Sequence, residues 1–144
     1  MENRIDRTLA LGIPPKQKHA HIDYVGEVRN LTAMADYYAA ADVMVFCSKA
    51  DNYPNTILES IAAGTPVIAY NVGGVKSQLQ DPFSVVCEAG DIRALRSKLI
   101  EKISAGRKTP AVEETLKSKA VQRWAPKDIA SKYMQLYSRL ASLQ

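Results

Sequence analysis

The 144-residue sequence predicts an α/β domain built on a parallel sheet flanked by helices. Three observations carry that prediction. Short, apolar, β-branched runs alternate with longer segments of helical periodicity. Gly and Pro fall at the joins between them. The 47% hydrophobic and 24% charged content is that of an ordinary soluble globular chain, long enough to bury a core.

Taken in order, residues 2–11 read as a short helix that stops before Gly12 and Pro14-Pro15. His21–Val25 is a strand leading to Gly26. Residues 31–41 form a helix with Asn30 as N-cap and Leu31, Met34, Ala35 and Tyr38 on one face. Val43–Cys47 is a continuous apolar run, expected as a buried strand. A polar loop, Ser48–Asn55, leads to a helix at about 56–63 that stops at Gly64, with Pro66 just beyond. Pro66–Tyr70 is a second buried strand, Gly73-Gly74 a tight loop, and residues 75–80 one helical turn or two. Ser84–Cys87 is a further strand. Asp91 caps a helix to about 104 that ends by Gly106. Helices at roughly 111–123 and 126–142 complete the chain, the last with Pro126 in its first turn. Ile129, Tyr133, Leu136, Tyr137 and Leu140 make an apolar stripe on it, expected to pack mostly on the domain's own core. Four strands fall short of a full doubly wound sheet, so a strand is expected to be missing.

Composition excludes several classes of function. No apolar run approaches the roughly 20 residues needed to span a bilayer. The start, Met-Glu-Asn-Arg-Ile-Asp-Arg, lacks a signal-peptide core, so a cytoplasmic location is expected. Cys47 and Cys87 read as buried free thiols, and two Cys with the distant His19 and His21 supply no metal set. The net charge of +4 is uneven: residues 1–92 carry −4 and residues 93–144 carry +8. A solvated helical face accounts for this. A sharper alternative is peripheral attraction to anionic lipid at the inner face of the membrane. No aromatic-basic platform accompanies the charge, which argues against nucleic acid.

The most informative stretch runs from Asp51 to Gly74: Asp51-Asn-Tyr-Pro-Asn-Thr-Ile-Leu-Glu59-Ser-Ile-Ala-Ala-Gly64-Thr-Pro66-Val-Ile-Ala-Tyr-Asn-Val-Gly73-Gly74. Thr56-x-x-Glu59 fits a capping box, and Asp51 fits a turn residue, so either carboxylate has a purely local explanation. Their setting favours a site. In an open α/β sheet, ligands bind beyond the carboxyl ends of the strands, and strand 43–47 feeds this loop. The helix start near Thr56 presents unpaired N–H groups suited to a pyrophosphate. A carboxylate one turn in can accept bonds from vicinal ribose hydroxyls. Gly73-Gly74 lets backbone approach a phosphate without a Cβ in the way.

This stretch resembles the Glu-x7-Glu region of retaining glycosyltransferases of family 4, with Asp51 and Glu59 at the two acidic positions. The likeness extends to Tyr24-Val25-Gly26-Glu27-Val28, to Tyr37–Val43, to Ala89-Gly90-Asp91 with Leu95, and to Trp124 with Ile129, Tyr133 and Tyr137. It covers roughly residues 8–142. The resemblance implies the GT-B architecture of two Rossmann-like domains, with residues 1–144 as an incomplete C-terminal domain and 126–142 as its closing helix. It implies that Glu59 binds the donor ribose. Asp51 contacts the transferred hexose and supports charge at its anomeric carbon. Backbone at Tyr53, Asn55 and Thr56 faces sugar and diphosphate, Gly26, Glu27 and Val28 face the base, and Gly73 and Gly74 lie by the phosphates. The resemblance implies a nucleotide diphosphate sugar as donor, with no further cofactor and no bound metal. The reaction it implies moves a hexose to a glycan or lipid-linked acceptor with retention, as in polysaccharide biosynthesis.

Two residues depart from the pattern: Asp51 stands for Glu, and Pro54 for a common Gly, removing an N–H. The family's Gly-Arg strand end and Lys-Gly, which bring cations to the diphosphate, have no counterpart here. The expectation is therefore a fragment or split product with little activity alone, lacking its N-terminal acceptor domain, and self-associating or joined to a partner through the last helix. The rival expectation is a non-catalytic binding or interaction module on the same fold.

Overall fold

The computed structural model describes residues 7–13 and 15–143. Among these, five strands and six helices follow in the order β1 (Leu9–Leu11), β2 (Asp23–Gly26), α1 (Leu31–Ala40), β3 (Met44–Phe46), α2 (Asn55–Ala62), β4 (Val67–Tyr70), α3 (Val75–Gln78), β5 (Val85–Cys87), α4 (Ile92–Ser104), α5 (Pro110–Trp124) and α6 (Pro126–Ala141). Every strand pair is parallel: β1 with β2, and β3-β4-β5 in that order. The predicted α/β class with a parallel sheet and flanking helices is what forms.

Local chemistry explains most boundaries. Asn30 Oδ1 accepts from the Ala33 N–H at 2.9 Å and starts α1, while Asp91 Oδ1 accepts from Ala94 and starts α4. Thr109 caps α5, with Pro110 at its first position. Gly64 takes φ +84° past the end of α2, a conformation costly for any residue with a Cβ.

The core gathers on β4, whose four residues are all buried, and on the apolar face of α2. Ile57, Ile61, Ile68 and Leu116 are essentially without solvent contact, and α2 packs on α5. Burying a side chain of this size stabilises by ~1.5–3 kcal/mol relative to exposure. Lys108 clamps the same region, donating from Nζ to the Ala39 carbonyl and, at 2.8 Å, to Thr65 Oγ1.

Several expectations fail. Residues 9–11 are a strand and not part of a helix; residues 2–6 lie outside the described residues. Asp23 N–H donates to the Thr8 carbonyl at 2.9 Å and Gly12 N–H to the Gly26 carbonyl at 2.8 Å, bracketing Leu-Ala-Leu in a parallel ladder. Cross-strand pairing wins over local propensity in so short a segment. β3 pairs with β4 alone among the described strands, so it is an edge, with Val45 exposed. Cys47, beyond its end, is exposed, whereas Cys87 is buried, and burial, aided by Asp91, pushes its thiol up. Leu31 projects into solvent, leaving Tyr38 as the buried residue of α1. α6 has no buried residue. Its stripe is about half exposed at Tyr133, Leu136, Tyr137 and Leu140, because extended backbone at Ala125 (φ −56°, ψ 125°) takes the chain away from the core.

No helix among the described residues is long and apolar enough to cross a membrane.

Candidate functional site

The loops after β3 and β4 leave the carboxyl ends of neighbouring parallel strands and meet. Their meeting depends on two glycines. Gly74 N–H donates to the Asn52 carbonyl at 2.7 Å. A Cβ at Gly73 would lie 2.0 Å from the Asp51 carbonyl oxygen, and one at Gly74 would lie 2.6 Å from Tyr53 Cδ2. Gly73 also holds φ +48°. The glycines thus admit the Asp51–Tyr53 backbone. This modifies the expectation of a phosphate approach: the Gly74 N–H is already committed to protein.

Asp51 makes an Asx turn, its Oδ1 accepting from the Tyr53 N–H at 3.1 Å. Its Oδ2 makes no hydrogen bond among the described residues. Pro54 is the N-cap of α2 and supplies no side-chain cap, so the first-turn N–H groups, starting at Asn55 and Thr56, have no side-chain acceptor. The expected capping box does not form. The helix starts two residues earlier than that pattern requires, and Glu59 bonds elsewhere: its Oε2 accepts from the Tyr38 hydroxyl at 3.2 Å, leaving Oε1 without a partner among the described residues. The raised phenol, pushed up to about 12, follows first from burial of Tyr38 and then from the Glu59 charge and hydrogen bond.

Asp51, Tyr53, Asn55, Thr56, Glu59, Gly73 and Gly74 therefore fall on one loop–helix–loop unit. Gly26 ends β2, and Glu27 and Val28 follow it. No hydrogen bond joins them to that unit among the described residues, and Glu27 instead pairs with Arg29 at 3.0 Å. No Lys or Arg side chain bonds to residues 51–59 there. No group of three or more His, Cys, Asp or Glu among the described residues could hold a metal. Sequence reasoning assigned no role to Tyr38, Gln78 or Arg123. Gln78 is buried and donates from Nε2 to the Pro54 carbonyl at 3.0 Å. The available signal was weak: a Tyr one turn from the end of α1, and a polar residue at a core-facing position of a one-turn helix.

Residues 6–104, more than half of the chain, match the family described as Glycosyl transferases group 1, and the chain belongs to that family. The fold matches sucrose-phosphate synthase from Thermosynechococcus elongatus with a TM-score of 0.75 and 24% identity, over 94% of this chain and 39% of that one. That likeness places the chain in the GT-B architecture.

Among curated relatives, a D-inositol 3-phosphate glycosyltransferase of Streptomyces bingchenggensis is 31% identical over 76% of this chain and 26% of its own length. An N-acetyl-alpha-D-glucosaminyl L-malate synthase of Bacillus anthracis is 24% identical over 83% of this chain and 32% of its own. A D-inositol 3-phosphate glycosyltransferase of Streptosporangium roseum is 44% identical, over 40% of this chain and 13% of its own length. The chain thus spans about a third or less of these relatives.

Proposed function

We propose that the chain is the donor-binding portion of a glycosyltransferase that takes a hexose from a nucleotide diphosphate sugar. One observation carries this. Among the described residues, Asp51 and Glu59 each have one carboxylate oxygen held by protein and the other unengaged, at the carboxyl edge of parallel strands. In this reading Glu59 Oε1 accepts from the ribose diol. Asp51 Oδ2 meets a hydroxyl of the transferred sugar and offsets charge growing at the anomeric carbon. The diphosphate lies at the uncapped start of α2, where Asn55 and Thr56 offer N–H groups and the helix dipole is positive. The base lies by Gly26–Val28. We propose transfer with retention, in the cytoplasm, to an acceptor held by residues outside these 144. The names of the relatives favour small hydroxylated acceptors such as an inositol phosphate or malate. Glycan or lipid-linked acceptors belong to the same proposal, as does peripheral contact with anionic lipid.

Turnover by these 144 residues alone is proposed to be small, since no described cation reaches residues 51–59 and electrostatic stabilisation is often the largest catalytic term. A calorimetric titration with UDP-, GDP- and ADP-sugars tests the reading. Saturable binding that Glu59→Ala removes supports it and names the base; a folded chain that binds none of them refutes it.

A second reading, a non-catalytic interaction module, is favoured by the uncovered stripe on α6. Self-association abolished by Leu136→Lys, in a chain that binds no nucleotide sugar, would select it.

A further inference from the structure

We propose that Trp124 and Arg123, at the carboxyl end of α5, are positioning residues that latch the 51–54 loop in its binding shape. The use of that shape rests on the donor-binding reading; the latch itself does not. Trp124 Nε1–H donates to the Tyr53 hydroxyl at 3.2 Å, joining residues 71 positions apart. Arg123 lies over the face of the Trp124 ring, 5.0 Å from its centre. The same guanidinium donates to the Ser77 carbonyl at 2.7 Å and to the Gln78 carbonyl at 3.1 Å. Gln78 in turn reaches the Pro54 carbonyl, and Gly74 holds Asn52. Asn52, Tyr53 and Pro54 are thus each tied to α3, to the Gly74 that precedes it, or to α5, although residues 51–53 are exposed.

Trp124 packs against the core, but on the loop side the latch is not core packing. Tyr53 is 45% exposed, so burial does little to hold it. Nor do Trp124 and Arg123 touch the unengaged carboxylate oxygens. What they supply is direction: Tyr53 follows Asp51 by two residues and precedes the start of α2 by two, so turning its ring re-aims both. Small displacements of binding groups are costly to function even when they cost little stability.

Trp124 is the only tryptophan in the chain, so its emission reports on the latch alone. Tyr53→Phe removes the acceptor and keeps the ring. Without donor, this variant should show a red-shifted Trp124 emission and stronger acrylamide quenching, as the freed indole N–H turns to water. In a parallel titration with UDP-, GDP- and ADP-glucose, Trp124→Phe should weaken binding about fivefold, the factor one ordinary hydrogen bond supplies. Trp124 also packs against the core, so this variant lowers the thermal midpoint as well, whereas Tyr53→Phe should keep it near that of the wild type. The double variant should bind no more weakly than either single one.

Unchanged emission and quenching in Tyr53→Phe overturn the latch whatever the titration gives. Wild-type affinity in Trp124→Phe, or additive losses in the double variant, overturn its positioning role. A wild-type chain that binds no nucleotide sugar, with the Tyr53→Phe emission change present, refutes the donor-binding reading and leaves the latch standing.

Discussion

The Tyr38 hydroxyl on α1 donates to Glu59 Oε2 on α2 across 3.2 Å, joining the helix before β3 to the helix after it. Tyr38 is 9% exposed and Thr65 Oγ1 donates to its backbone carbonyl, so the donor is fixed by the core. The exposed Glu59 is thereby given one orientation. Tyr38→Phe keeps the ring and frees the carboxylate. It should cost about 1 kcal/mol of stability, the worth of one hydrogen bond, and weaken any Glu59-dependent ligand several-fold. Chemical denaturation and calorimetry on the same samples check both.

The same pair makes alkaline stability depend on Tyr38. The folded phenol is held up to about 12 against an ordinary 10, chiefly by burial and then by Glu59. Between those values the unfolded chain has lost a proton that the folded chain keeps, so stability falls as pH rises. The contribution is whole below about pH 10 and is lost as pH rises toward 12. Tyr38→Phe should flatten this part of the stability–pH curve. The other tyrosines and the lysines are common to both proteins and cancel in the comparison.

Gly73→Ala tests the contact between the two loops. Its Cβ would meet the Asp51 carbonyl oxygen at 2.0 Å, in a left-handed backbone conformation at φ +48°. One loop must retreat. The strain should cost about 1–3 kcal/mol, and donor binding should fall more steeply than stability, because Asp51 moves. A variant that loses stability but titrates like the wild type would show that the loops need not touch for binding.

Much of this was legible in the sequence where chemistry is local. Asn30 and Asp91 are caps because short polar side chains reach an N–H three residues on. The apolar run Val67–Tyr70 is a buried strand, and Gly64 ends α2. The legible part of the site was its framework, the two carboxylates and the glycine pair after β4. Where partners are distant, the sequence is silent. Leu9–Leu11 has no strand pattern of its own and becomes one by pairing with Asp23–Gly26. Thr56 and Glu59 look like a box because spacing shows a possible bond, while Tyr38, 21 residues away, makes the actual one. Trp124 meets Tyr53 across 71 residues, which no periodicity reveals.

Lys108 is a cation held inside the fold, with its side chain 5% exposed. Its Nζ donates to Thr65 Oγ1 and the Ala39 carbonyl and lies 3.4 Å from Glu113 Oε1. Lys108→Met conserves the stem and removes three donors. Glu113 is a third exposed and keeps Lys117 at 3.7 Å, so the loss stems from the unpaired oxygens more than from the charge pair. A decrease of about 1–3 kcal/mol is expected in urea denaturation, with no change in ligand affinity. Double substitution with Thr65→Val should be less than additive, since the two share a bond.

Gly64 couples helix ending to helix packing, and its substitution separates the two. A Cβ there would lie 3.0 Å from both Glu113 Cβ and Lys117 Cε, with φ at +84°. The Lys117 end can swing aside, but Glu113 Cβ is anchored to the α5 backbone and cannot. Gly64→Ala therefore pays twice, in backbone strain and in a forced shift between α2 and α5, for about 2–4 kcal/mol in all. Gly64→Asn distinguishes these terms: Asn accepts the left-handed conformation better, yet its side chain crowds α5 more. If strain dominates, Asn is the milder change in thermal denaturation. If packing dominates, Ala is milder, and trimming Glu113 to Ala should recover part of the loss.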